Sequence, residues 1–171
     1  MILDLNLSIM EILIKVLLPL TITFFIAGFI GLERQNIGKA AGISSHILVA
    51  MGSAGIAVMQ RLMFEYQLGL VAAGVAIDPE GQRVIAQVIT GIGFVGAGVI
   101  IKDPTNVIKG ITTAATIWAT AMVGLILGSG YIIVGTALGL FIVGFIVFRD
   151  LSRGINPFRE YHAREHVEDH H

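Results

Sequence analysis

The sequence predicts an all-helical integral membrane protein, a bundle of about five transmembrane helices with the N-terminus outside and the C-terminus inside. Three observations carry that reading. Of the 171 residues, 55% are hydrophobic and only 13% are charged, whereas a soluble domain carries about 25% charged residues. The mean hydropathy is +0.85. The apolar residues also come in long blocks and not in alternating or amphipathic patterns, so lipid is the solvent that suits them.

A helix needs about 20 residues to cross the hydrocarbon core. The first candidate runs from Ile12 to Leu32 and is ended by Glu33-Arg34-Gln35. Pro19 lies inside it and can kink it, which neighbouring helices tolerate. The stretch before it holds Asp4 and Glu11 and no basic n-region, so the span is read as retained and not as a cleaved signal. The second span covers about Ser44 to Arg61 and is less apolar, with Ser45, His46, Ser53 and Gln60. The third covers about Val84 to Ile101, the fourth Ile111 to Leu127 and the fifth Tyr131 to Phe148.

The links differ in kind. Glu33 to Ile43 is polar and punctuated by glycine. Met63 to Arg83 is longer and half apolar, read as an interfacial excursion ending at Asp78-Pro79-Glu80-Gly81. Lys102 to Gly110 is a tight polar turn around Pro104, and Gly128-Ser129-Gly130 leaves room for a hairpin. Residues 1–148 then form one transmembrane domain and residues 149–171 a short charged cytoplasmic tail. No soluble second domain is expected.

Orientation follows from the basic residues. With the N-terminus outside, the inner turns and tail hold Arg34, Lys39, Lys102, Lys109, Arg149, Arg153, Arg159 and Arg164, and the outer side holds Lys15, Arg61 and Arg83. That asymmetry favours a C-terminus in the cytoplasm.

Several function classes are set aside at this level. A formal net charge of -1 and the lack of a basic run give nothing to attract nucleic acid. Cysteine is absent, which excludes disulfides, thiolate metal sites and thiol nucleophiles. No Ser/His/Asp set, H-E-x-x-H pattern or P-loop is present, so neither enzymatic activity nor a cofactor is expected. Gly91-Ile92-Gly93-Phe94-Val95-Gly96 does fit the dinucleotide fingerprint. That fingerprint works where a strand turns into a helix, and here the glycines sit within one apolar span whose next acidic residue, Asp103, comes too early for a ribose.

Close helix packing is the better reading, since small residues let backbones approach in lipid. Gly91, Gly93, Gly96 and Gly98 join Gly28 and Gly31 of the first span in this role. Gly124 with Gly128, and Gly135 with Gly139, add two G-x-x-x-G pairs. Homo-oligomerisation through one of these motifs stays open beside packing within one chain.

Polar groups within the spans carry a desolvation cost unless they are satisfied. Thr113, Thr116 and Thr120 share one stripe of the fourth span, where threonine hydroxyls commonly bond their own helix. Arg83 and Gln87, with Thr90, lie in the outer half of the third span, where the Gln87 amide wants partners. The densest constellation is at the inner face. Glu33, Arg34, Lys39, Ser45, His46, Lys102, Asp103 and Asn106 all fall at one expected depth, and Glu33, Arg34, His46 and Asp103 are expected to form one paired network. Glu33 and Asp103 are also the candidate ligands for a hard cation such as magnesium, though such a site needs more oxygens than these two supply. His162, His166, His170 and His171 are spaced to bind a metal on a helix, and are read as a solvated tail ending in a purification-tag remnant.

The polar turns resemble a known family. The stretch Gly31-Leu32-Glu33-Arg34-Gln35, then Gly38-Lys39-Ala40-Ala41-Gly42-Ile43, His46-Ile47-Leu48-Val49 and Gly52-Ser53-Ala54, is similar to the MgtC/SapB family of bacterial membrane proteins. So are Arg83 to Val88 with Gly91 to Ile100, and the run Gly110 to Ala121, making three ordered blocks between about Ile12 and Phe148. The resemblance implies a hydrophobic inner-membrane domain of about five helices. It further implies a virulence-associated role in survival inside macrophages and growth at low magnesium. Members are thought to act as regulators through membrane protein partners, including by restraining the ATP synthase. Many carry a soluble C-terminal domain, whose functions are not carried over to this sequence. The expectation is therefore a multi-pass inner-membrane regulator of stress adaptation and magnesium homeostasis, with a small magnesium or cation transporter or channel as the alternative.

Overall fold

The computed structural model describes residues 7–79 and 83–154. Within them lie five helices: α1 (Ile9–Asn36), α2 (Ile43–Ala72), α3 (Arg83–Val99), α4 (Ile111–Gly128) and α5 (Ile132–Ser152). A two-residue antiparallel hairpin, β1 (Ile101–Lys102) with β2 (Ile108–Lys109), joins α3 to α4. All but α3 are long and apolar enough to cross a membrane; α3 has 17 residues.

Local chemistry explains the start of α1. Ser8 and Glu11 form a capping box, the Ser8 hydroxyl accepting from the Glu11 amide at 3.2 Å and Glu11 accepting from the Ser8 amide at 3.0 Å. The helix then widens to π geometry over Ile12–Leu17, just before Pro19. Proline has no N–H to direct at the carbonyl four residues earlier, which here is Lys15. Arg61 on α2 donates its Nη2 hydrogen to that carbonyl. A wide turn and a side chain from the neighbour together accommodate the proline.

One link differs from expectation. The stretch after Arg61 is not an interfacial excursion, because α2 continues to Ala72. No proline interrupts it, and the helix ends where Gly74 takes φ +86°, a value that favours glycine. The polar turn at Pro104 is closed as a β-hairpin, with Asn106 at φ 64°. The link's end at Asp78-Pro79-Glu80-Gly81 is described only to Pro79, and the tail histidines His162, His166, His170 and His171 lie outside the described residues.

α4 is the hub and packs against each of the other four helices. It carries no charged residue. Gly124 and Gly128 let α2 approach so closely that an added Cβ would meet the carbonyl oxygens of Ala50 and Ala54. Gly135 and Gly139 do the same for α5, where a Cβ would come within 2.6 Å of Leu127 Cγ and 2.5 Å of Ile26 Cδ1. Both G-x-x-x-G pairs are thus used within one chain. Ile26, Ile30, Val123, Leu127 and Ile146 form the largest apolar cluster, and Ile92, Ala121 and Met122 a second beside α3.

The distribution of side chains is inverted relative to a water-soluble protein. Phe94 is 83% exposed and Ile133 85%, while Glu33 is 2% exposed and Asp150 1%. An apolar exterior around buried charges is stable where the surrounding solvent is hydrocarbon.

Candidate functional site

The buried charges gather where the C-terminal ends of α1 and α5 meet. Glu33 and Arg34 are neighbours on α1, and the Arg34 guanidinium donates from both Nε and Nη2 to the two Glu33 oxygens. This side-by-side pairing uses the fork geometry that suits arginine to a carboxylate. From α5, Arg149 donates to Asp150 Oδ1 at 2.8 Å from Nε and 2.7 Å from Nη2. The same Nη2 lies 3.4 Å from Glu33 Oε1, and Arg34 Nη2 lies 3.9 Å from Asp150 Oδ2. Two carboxylates and two guanidiniums therefore alternate around a closed, formally neutral cluster. Isolated charges at this burial would be costly, and here each group has an oppositely charged partner.

His46 sits nearby on α2, fully buried. Its Nδ1 lies 2.8 Å from the Gly42 carbonyl oxygen and its Nε2 3.3 Å from Thr116 Oγ1 on α4. The α1–α2 turn is pressed close to make this possible, since a Cβ on Gly31 would come within 2.6 Å of Ile43 Cα.

Asp103 does not join Glu33, Arg34 and His46, which corrects the expected four-residue network. It is bonded within its own hairpin, accepting from the Thr105 hydroxyl at 2.6 Å, the Thr105 amide at 2.9 Å and the Val107 amide at 3.0 Å. Lys109 pairs with its other oxygen at 2.9 Å. The Thr105 hydroxyl, then the Lys109 ammonium and the Val107 amide, hold the carboxyl down at about 2. The hairpin satisfies Asp103 locally before any helix can recruit it. The candidate cation ligands Glu33 and Asp103 thus have separate partners, and among the described residues no three His, Cys, Asp or Glu converge on a metal-sized site.

The remaining predicted residues scatter. Lys39, Ser45, Lys102 and Asn106 are exposed, as are Arg83 and Gln87 on α3. Thr113 and Thr120 are buried and Thr116 half-buried; Thr116 Oγ1 lies 2.9 Å from the Thr113 carbonyl oxygen, and Thr120 donates to the Thr116 carbonyl at 2.6 Å. Of the packing glycines, Gly31 makes a close approach, while Gly28 and Gly96 have ordinary contact distances of 3.7 Å to Ile47 Cδ1 and to the Ala114 carbonyl. Gly91, Gly93 and Gly98 differ from expectation, having no atom within 4 Å of an added Cβ. α3 meets the bundle through the face of Ile92 and Gly96, and those three glycines lie off it.

Sequence reasoning missed Asp150 and treated Arg149 only as a topological charge. The signal was present: Arg149-Asp150 ends the last span as Glu33-Arg34 ends the first, at the same expected depth. It also missed a second polar node at the opposite end of α1, where Lys15 pairs with Glu11 at 3.1 Å and Glu65 at 2.7 Å. Arg61 joins it from α2, 3.8 Å from Glu65.

Comparison with known proteins gives a consistent picture. A family model described as the MgtC family matches residues 20–153. The chain is 47% identical over 103 residues to an Escherichia coli protein named "Putative magnesium transporter YhiD", covering 60% of this chain and 46% of that one. It is 39% identical over 120 residues to Protein MgtC of Brucella abortus, covering 70% and 45% respectively. A Synechocystis protein is 36% identical over 143 residues, 82% of this chain and 55% of its own. The chain thus spans about half the length of the curated relatives it matches. No solved structure matches it.

Proposed function

The chain belongs to the MgtC family, and from that premise we propose that it is a regulator in the bacterial inner membrane, acting through membrane protein partners when magnesium is scarce. Family membership and the apolar helices make it a membrane protein of the MgtC type, and the name of its Escherichia coli relative links that type to magnesium. In this reading five helices cross the bilayer with the N-terminus outside and the C-terminus inside, α3 making up its short length from the residues that flank it. The resemblance offers the ATP synthase as one partner. The protein is not an enzyme in this proposal, and it moves no ion by itself.

One observation carries the choice of regulator over transporter. The charged groups inside the bundle lie in two layers at opposite ends of α1, each paired within itself. Between them, buried hydroxyls bond to their own helices: Thr23 to the Pro19 carbonyl at 2.7 Å, Ser53 to the Val49 carbonyl at 2.8 Å and Thr120 to the Thr116 carbonyl. Transporters place ionisable relays or broken-helix carbonyls at that depth. The second reading, a magnesium or cation transporter, is favoured by the name of the Escherichia coli relative.

Flux measurement separates the two. Purified protein in liposomes should give no magnesium or proton flux above empty vesicles, and Glu33→Ala or Asp103→Asn should leave that baseline unchanged. A robust flux abolished by either substitution would replace the regulatory reading with the transporter.

A further inference from the structure

The contacts of His46 do more than fill a buried position. The Gly42 carbonyl oxygen can only accept, so the Nδ1 that faces it at 2.8 Å must carry a hydrogen. In the neutral ring Nε2 then has a lone pair and no hydrogen. The Thr116 hydroxyl has one hydrogen and two acceptors within reach, His46 Nε2 at 3.3 Å and the Thr113 carbonyl at 2.9 Å. It cannot serve both. When the ring takes a second proton at Nε2, that N–H donates to Thr116 Oγ1 and the hydroxyl hydrogen turns to Thr113. Every donor then has an acceptor, and the α2–α4 link is kept with its direction reversed.

We propose that His46 and Thr116 form a proton-binding site between α2 and α4, in which the Thr116 hydroxyl reverses its hydrogen bond as His46 gains or loses a proton. The inference holds whatever partner or ion the protein serves. The charged groups that face this site are few. From α1 come Glu33 and Arg34, which pair with each other and with Asp150 and Arg149 at the end of α5. α4 has no titratable residue, and α3 has Arg83 at its first position. On α2 itself the nearest is Arg61, about four turns along the helix. Lys39, in the turn before α2, is exposed.

Nitrogen NMR of the full chain in lipid bilayers, with 15N-labelled histidine, tests this directly. The His46 signals are assigned by their loss in His46→Gln. At high pH Nδ1 should be protonated and Nε2 bare, and acidification to about pH 4 should add a proton at Nε2, within the range where protein histidines titrate. Thr116→Val removes the acceptor of the second proton and should move that step to lower pH than in the wild type; Thr116→Ser, which keeps the hydroxyl, should restore it. If Thr116→Val does not fold, the wild-type tautomer and the serine variant still decide. A hydrogen on Nε2 at high pH, no second proton down to about pH 4, or equal midpoints in the valine and serine variants would overturn the site.

Discussion

Arg149 reaches Glu33 across the bundle, its Nη2 3.4 Å from Glu33 Oε1, although 116 positions separate the two residues in the chain. The contact ties the end of α5 to the end of α1, and it does so between groups that each hold a second partner, Asp150 for Arg149 and Arg34 for Glu33. Removing a single member leaves an uncompensated charge in a buried place, so the cluster acts as a unit.

Arg34→Ala and Asp150→Ala should each destabilise the protein by about 3 to 5 kcal/mol, the range for breaking a buried pair from one side. Arg149→Ala should cost less, because the Arg149 side chain is 17% exposed against 1% for Arg34. Unfolding of the purified variants in detergent would measure this, and equal losses for Arg149 and Arg34 would show that the cluster is not buried as described.

Arg61→Ala should cost about 1 to 3 kcal/mol, the range for leaving a buried acceptor unmade, because it strips the Lys15 carbonyl of its donor. In a Pro19→Ala background the backbone can supply that N–H, so most of the Arg61→Ala loss should vanish. A double-mutant cycle measures the coupling, and additive losses would mean that the proline and the arginine are unrelated.

The glycines should divide by location. Gly124→Leu and Gly128→Leu drive a side chain into the backbone of α2 and should lower stability by about 1 to 3 kcal/mol or abolish folding. Gly91→Leu and Gly93→Leu meet open space and should fold with near wild-type stability. Melting temperatures of the four variants give the comparison.

The hairpin should respond to acid in a window set by Asp103. Its folded value of about 2 lies below the value of about 4 in an unfolded chain, so its contribution is complete above pH ~4 and is lost as the pH falls toward 2. The protection of the Val107 amide against hydrogen exchange, relative to a free amide at the same pH, should fall over that window, since Asp103 accepts from it. Asp103→Ala should show that low protection at every pH.

Topology is open to a direct test. Reporter fusions at Ser129 and after Phe148 should report opposite sides of the membrane, the first outside and the second in the cytoplasm. Two cytoplasmic reports would mean that α3 does not span.

How much of this was legible beforehand depends on the range of each interaction. The membrane class, the five apolar segments and their order follow from composition and run length, because hydrocarbon imposes the same demand on every residue of a span. The polar ends of the first and last spans were readable as charged positions, and the family followed from Gly31 to Ala54, Arg83 to Ile100 and Gly110 to Ala121. What tertiary structure alone decided was the pairing. Glu33 had Asp103 and Asp150 as rival companions, and nothing in their spacing ranked them; the hairpin satisfied Asp103 from within eight residues, while α5 brought Asp150 and Arg149 to α1. Similarly, the glycines of α3 and α4 looked equivalent, and only the placement of α4 at the hub gave Gly124 and Gly128 a backbone to meet while leaving Gly91, Gly93 and Gly98 open. Solvent preference is a property of each segment by itself, and so sequence determines it. Which buried group meets which depends on how the helices lie against one another, and that is settled when they pack.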